Sequence, residues 1–373
     1  MFIERNEEMD SQLIWAVKAQ SISPTRKKLR ELSEREDLFD ISSVDTESKE
    51  YKKTVYNFDK ARKTGTKIIT YIDSSYPENL RNISQPPPVL YVRGNANILK
   101  ETVFAGMVGA RDSDDYGIRM AEYIACEIGQ TGAGIVSGGA RGIDAASHRG
   151  ALRAKAPTVA VLGGGLDRPY PEENIPLFKK IVENGGAVIT EYPFGTEPIP
   201  SNFPRRNRII AGLSATLVVV RAAYRSGSLI TASQALNQGL TIFSVPGNID
   251  NKLSGGTNAL IRDGATPLLS PIEVIDELME RDPDFFLRVR DIENIITSED
   301  MPQIKKPANP VGLSEYEAEI VNIIISGAQT QNLIEEKVSF EPSRLTALLG
   351  MMEIKGIIKK GPDKKYIITT GGS

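Results

Sequence analysis

The chain has 373 residues, 40% apolar and 25% charged, with net charge −3 and a pI near 5.6; this predicts two or three domains with real cores and excludes a global positive field, so a polyanion would have to meet a local patch. The lone cysteine, Cys126, excludes an internal disulfide framework and fits a reducing cytosol, and the lone histidine, His148, argues against histidine-based metal or triad chemistry. The opening MFIERNEEMD has no apolar signal core and no run approaches the ~18 apolar residues of a membrane span, so a cytoplasmic protein without membrane contact is expected.

Residues 1–65 are charged and helical in rhythm: Leu13, Ile14 and Val17, then Leu29 and Leu32, recur at helical spacing, and Ser23-Pro24 marks a turn with Pro24 placed to open a helix. From residue 66 the rhythm changes. Apolar strands are predicted at Lys67–Tyr71, Val89–Val92, Thr102–Val108, Gly134–Ser137, Thr158–Leu162, Ala187–Glu191, Thr216–Val220 and Thr241–Val245. Helices are predicted between the later ones, at Gly117–Ile128, Ile143–Arg153, Asn174–Glu183 and Ser228–Gln238. The strands are continuously apolar rather than alternating, which predicts a parallel sheet covered by helices on both faces, an α/β domain over 66–280. Residues 281–312, with Pro302, Pro307, Pro310 and Gly312, predict a linker. Over 313–373, helices at Ser314–Ile325, Gln331–Lys337 and Pro342–Lys355 precede a hairpin at Ile357–Ile368, which suggests a winged-helix domain.

Parallel sheets take ligands at the carboxyl ends of their strands. Glycines fall there, as Ser137-Gly138-Gly139, Gly163-Gly164-Gly165 and Pro246-Gly247. Tight strand-to-helix turns need glycine without any ligand, but three clusters on one edge favour a phosphate-facing rim. The VGAR stretch, Val108–Arg111, puts Arg111 beside backbone amides at a strand end. Arg141 follows Gly138 and Gly139 at a helix start, where free amides and the helix dipole favour phosphate. Ser226, Gly227 and Ser228 open another helix, and Ser228 would serve equally as its N-cap.

The densest signal is FPRRNRII, Phe203–Ile210, where Arg205, Arg206 and Arg208 surround Asn207. Guanidiniums stay charged and their planar fork suits phosphate. Three of them buried together would require an anion. Tyr170 is the better-placed rim aromatic for stacking a base, an interaction of about 1–3 kcal/mol, and Phe203 heads the arginine run, whereas Tyr192 reads as ordinary packing. Asp144 reads as a structural partner of Arg141 or of a neighbouring helix, His148 as a satisfied local partner, and Cys126 as core. No P-loop, dinucleotide fingerprint, nucleophile elbow or metal-spaced carboxylate pair stands out, so no cofactor is expected.

In order, VGAR, SGGARGIDAASHRGAL, LGGGLDRPYPEEN, FPRRNRIIAGLS, SGSLITA, VPGNI and SGGTNALIRDGA resemble the DNA-processing protein A (DprA/Smf) family over about residues 66–280. The resemblance implies an extended Rossmann-like core that binds single-stranded DNA and forms a homodimer, with residues 243–275 at the interface by family position. It implies coating of incoming DNA in natural transformation, help in displacing single-strand-binding protein, and recruitment of the RecA recombinase. By position it places Arg111, Gly138, Gly139, Arg141, Gly163, Gly164, Arg205, Arg206, Asn207 and Arg208 along the DNA groove. Residues 1–65 are similar to the family's helical SAM-like module and 313–373 to its winged helix.

Two residues depart from the family pattern: Arg221 stands where an acid is usual, and Thr257 where a cysteine is common. The segment 313–373 carries seven Lys/Arg against eight Asp/Glu, and on its candidate recognition helix Arg344 and Lys355 face the count of Glu341 and Glu353, which favours protein contact over groove reading. The expected function is therefore non-catalytic DNA binding, and replacing Arg205 and Arg206 by Ala should weaken it without unfolding the chain. Two rivals are a nucleoside-monophosphate phosphoribohydrolase, against which SGSLITASQA offers Gln234 and no nearby acid, and a sensor using the same pocket for a nucleotide signal.

Overall fold

The computed structural model describes residues 7–20, 22–282, 285, 315–325, 330–339, 342–354, 357–360 and 366–368. They fall into two compact units that divide between residues 301 and 302.

The first unit opens with α1 (Glu7–Gln20), α2 (Arg26–Ser33) and α3 (Lys49–Lys63). Thr25 caps α2 by accepting the Lys28 amide, and Ser48 caps α3 by accepting that of Tyr51. The buried stripe of these helices does not close on itself. Trp15, Leu29 and Leu32 share one apolar cluster with Ile69 and Leu90 of the sheet. Trp15 stacks on Tyr71 with centroids 5.7 Å apart, and its indole N–H donates to the Pro88 carbonyl at 2.9 Å.

There follow β1 (Lys67–Thr70), α4 (Glu78–Arg81), β2 (Val89–Gly94), α5 (Ile98–Glu101), β3 (Phe104–Val108), α6 (Asp115–Gln130), β4 (Gly134–Ser137), α7 (Ile143–Arg153), β5 (Thr158–Val161), α8 (Ile175–Glu183), β6 (Ala187–Thr190), α9 (Asn202–Leu213), β7 (Thr216–Val219), α10 (Gly227–Asn237), β8 (Thr241–Ser244), α11 (Gly255–Arg262), β9 (Thr266–Pro267) and α12 (Pro271–Arg281). The sheet has nine strands in the order β1-β2-β6-β5-β4-β3-β7-β8-β9. Every residue of β3 to β7 is buried, which is why those strands read as unbroken apolar runs. On one face α6, α7 and α12 supply Ile124, Ile143 and Val274 against Ala105, Met107 and Ile135. On the other, α9 and α10 supply Ile209, Ile210 and Ala232 against Val136, Val159 and Leu217.

The sheet is not wholly parallel, which corrects the expectation from sequence. Strands β3 to β9 run parallel, but β2 pairs antiparallel with both β6 and β1. Parallel neighbours are usually joined through a crossover helix; here residues 71–88 between β1 and β2 hold only the single turn of α4.

The arginine run lies within α9, a helix that its sequence conceals: Pro204 occupies the first turn, where a missing N–H costs no hydrogen bond. Helix α12 continues to Arg281, so the expected linker begins at a helix end; residues 286–312 lie outside the described residues.

The second unit contains α13 (Glu315–Ile325), α14 (Gln331–Glu335), α15 (Pro342–Ile354) and an antiparallel pair, β10 (Ile358–Lys360) with β11 (Tyr366–Ile368). Its own core joins Ile320, Ile324, Ile334, Leu345, Leu349, Met352, Ile358 and Tyr366. The expected turn at Gly361-Pro362-Asp363 lies outside the described residues. Among the described residues, no helix is long and apolar enough to cross a membrane.

Candidate functional site

The carboxyl ends of the adjacent strands β3, β4 and β5 carry Arg111, Gly138 and Gly163 respectively. The half-buried ring of Phe203, on α9, gathers what they present. The Arg111 guanidinium carbon lies 4.9 Å from the ring centroid and that of Arg206 5.8 Å. Tyr170 packs at 5.9 Å with a 56° tilt and remains 44% exposed. Gly163 sits where a Cβ would come within 3.1 Å of the Phe203 ring, so the ring packs closely on bare backbone at this strand end and would have to give by a few tenths of an ångström to admit a side chain. Cation–π contacts of this kind hold a guanidinium in place without neutralising it.

Arg206 is buried, with 3% of its surface exposed, and no external anion is needed to satisfy it. It donates to the carbonyls of Gly138 and Val161, and its Nε donates to Asn207 Oδ1 at 3.2 Å. Burial pulls its pKa down to about 10, with Asp144 opposing the shift and Arg111 adding to it, so the group is still a cation at neutral pH. Asp144 faces Arg206 rather than Arg141. Burial holds its carboxyl above the usual range, against Arg206 and the Ala140 N–H, which donates to it at 3.3 Å. A Cβ at Gly138 would collide with both charged groups, at 2.5 Å from Asp144 and 2.6 Å from Arg206.

His148 pairs with β5. Its Nδ1 is 2.7 Å from Thr158 Oγ1, whose own proton goes to the Ile135 carbonyl, so the network assigns the ring proton to Nδ1. Complete burial, chiefly, lowers its pKa to about 3 and keeps it neutral. Cys126 is buried, as its place on α6 implies.

The expected site residues divide in two. Arg111, Gly138, Gly163, Tyr170, Phe203, Arg206 and Asn207 come together around the aromatic ring. Gly138, Gly139, Gly163 and Gly164 are all buried, so they serve as points of close packing: Gly139, at φ +69°, packs on Phe178, and Gly164 on the Thr196–Pro198 backbone. Arg141 is exposed, 3.7 Å from Glu173.

Arg208 turns away: its fork grips both oxygens of Glu191 at 2.6 Å and its Nε donates to the Gln85 carbonyl. Exposed Arg205 makes no ion pair among the described residues and lines a pocket of about 440 Å³ with Tyr192 and Gln234. At α10 the cap is Ser226, which accepts the Ser228 amide, while Ser228 itself is buried. The three arginines expected along the groove thus resolve into one buried cation, one part-buried ion pair and one exposed cation.

Sequence reasoning missed two amides that hold the loops. Asn174 donates to the Gly139 and Ala140 carbonyls, and Asn202 to that of Gly163. These contacts span tens of residues, so no local spacing announces them. At neutral pH the assembly is a shallow basic and aromatic patch, with two guanidiniums against one buried carboxyl, suited to an anion that carries flat rings.

The sequence profile of the DNA recombination-mediator protein A family matches residues 67–279. DNA processing protein DprA of Bacillus subtilis is 38% identical over 224 residues, 60% of this chain and 75% of that protein. Protein Smf of Escherichia coli is 41% identical over 203 residues, 54% of each chain. Among solved structures, DprA of Streptococcus pneumoniae superimposes with a TM-score of 0.58 at 31% identity, covering 74% of this chain and 99% of that one. DNA processing protein A of Helicobacter pylori, described for its single-stranded DNA binding mode, gives 0.52 at 29% identity over 57% and 96%. By its motifs, its sheet and these matches, the chain belongs to the DNA recombination-mediator protein A (DprA/Smf) family.

Proposed function

We propose that this chain binds single-stranded DNA, without catalysis and without marked sequence preference, along the carboxyl edge of β3, β4 and β5. The carrying observation is the pair of guanidiniums, Arg111 and Arg206, on the Phe203 ring beside exposed Tyr170. Phosphates meet Arg111, Arg141 and Arg205, while bases stack on the aromatic side, a sequence-tolerant mode because every base has a π-face. Arg206 serves from below, by fixing the ring and adding unneutralised charge. In this proposal the bound strand is protected and passed to the RecA recombinase during natural transformation, with single-strand-binding protein displaced and the chain acting as a homodimer. The 313–373 segment is proposed as a winged helix used for protein contact.

Gel shifts with single- and double-stranded oligonucleotides of one sequence, with a RecA-loading assay beside them, test the proposal. Preference for the single strand is expected, and equal or stronger binding of duplex would refute it. Release of free base from nucleoside monophosphates would instead establish the phosphoribohydrolase reading.

A further inference from the structure

Strands β3 and β7 are neighbours whose following helices lead to opposite sides of the sheet, to β4 and to β8. Doubly wound sheets have their ligand crevice at such a switch point. Here a side chain of the chain itself fills it. Arg221, just beyond β7, is 4% exposed. Its Nε and Nη2 donate to the two oxygens of Asp114 at 3.2 and 2.9 Å, its Nη1 donates to Ser254 Oγ, and the Tyr116 ring lies 4.5 Å from its guanidinium carbon. Asp114 also accepts the Gly117 amide at 2.9 Å, which caps α6, and Asn251 Nδ2 at 2.8 Å. The main-chain oxygen of Arg221 accepts the Ala110 amide at 2.8 Å. One residue therefore holds the turn that carries Arg111 on both sides, at Ala110 before it and Asp114 after it.

We propose that Arg221 is a positioning residue for the DNA rim: it clamps the 110–114 turn so that Arg111 stands ready over Phe203, and it ties that turn to the 251–254 segment. This rests on reading the rim as a DNA site. Arg111 is exposed and makes no ion pair among the described residues, so its long side chain gains order only from the Phe203 ring and from the backbone beneath it. Fixing that backbone before binding removes part of the ordering cost that binding would otherwise bear. The planar fork of arginine can hold both oxygens of one carboxylate while a third donor reaches a hydroxyl; a lysine ammonium, a point charge on a flexible stem, cannot hold that geometry. Being buried, Arg221 acts through Arg111 and not on DNA.

The test is a double-mutant cycle in the full chain. Arg221→Gln and Arg221→Lys are made alone and in an Arg111→Ala background, then titrated with a fluorescent thymidine oligonucleotide at several salt concentrations, with thermal melts alongside. Arg221→Gln should weaken binding about fivefold to tenfold, a typical size for coupled neighbours. It should also flatten the log Kd against log salt slope by about 0.7, the loss of one phosphate contact on a single strand. In the Arg111→Ala background it should change nothing further. Should Arg221→Gln fail to fold, Arg221→Lys carries the same cycle with a smaller expected loss. Equal losses in both backgrounds, or a folded variant with unchanged affinity, would overturn the clamp. Unchanged affinity in Arg111→Ala alone would remove the rim reading and the clamp with it, whereas a loss at Arg111 without coupling removes only the clamp.

Discussion

Arg205 and Arg206 are neighbours in sequence, yet their replacement should have opposite consequences. Arg206→Ala strips the donor from the buried carbonyls of Gly138 and Val161, at about 1–3 kcal/mol for each unmet group. It also removes the cation whose field most favours the charged form of buried Asp144. These terms overlap, so a loss of about 4 kcal/mol is expected, a large share of the 5–15 kcal/mol typical of a domain. Arg205→Ala removes an exposed side chain with no ion pair among the described residues and should shift stability by less than about 0.5 kcal/mol while weakening single-stranded DNA binding. Urea unfolding followed by circular dichroism separates the two, as a lowered midpoint for Arg206→Ala and an unmoved one for Arg205→Ala. The double substitution, expected from sequence to leave the fold intact, should therefore carry the same loss of about 4 kcal/mol as Arg206→Ala alone. A midpoint unchanged in Arg206→Ala would refute the assignment of that guanidinium to the interior.

Phe203→Leu should cost about tenfold in single-stranded DNA affinity, because it removes both the cation-holding ring and a stacking surface; fluorescence anisotropy reads this directly. Arg208→Ala should lower stability by about 1–3 kcal/mol by leaving Glu191 unpaired, with DNA affinity changed less than about twofold, since its fork is already occupied. His148 makes stability depend on pH. The folded chain holds it neutral down to about pH 3, whereas the unfolded chain binds a proton near the ordinary value of 6.5. Its contribution is thus full above about pH 6.5 and falls as pH drops, by up to about 1.4 kcal/mol per unit. As the sole histidine, it should add a positive slope between about pH 6.5 and 5, where carboxylates of ordinary pKa are mostly ionised and only groups held above that range, such as Asp144, oppose it. Urea midpoints should fall more steeply across that window, as pH is lowered, for the parent chain than for His148→Gln.

The core strands were legible because burial on both faces demands unbroken apolar runs, as in FAGMV, TVAV and TLVV. The direction of β2 was not, since a strand of six residues carries no mark of its partner. Helix α9 was hidden by Pro204 and three arginines, residues that suggest a loop until the buried Ile209, Ile210 and Leu213 on its far side are placed. The rim was legible in outline, because glycines and arginines at strand ends have few other uses. The separate fates of Arg206 and Arg208 were not. Gly138 lies 68 residues from the one and Glu191 17 from the other, and only the folded sheet decides which cation meets which acceptor. Arg221 stood out as a departure, but its partner, Asp114, is 107 residues away.

The salt dependence of single-stranded DNA affinity tests the central claim most directly. With about three phosphates neutralised by Arg111, Arg141 and Arg205, log K should fall against log salt with a slope of about −2. In Arg111→Ala/Arg205→Ala the slope should shrink to about −0.7, with an unchanged unfolding midpoint. A flat response in the parent chain, or an identical slope in the folded double variant, would contradict a phosphate-gripping rim at this edge of the sheet.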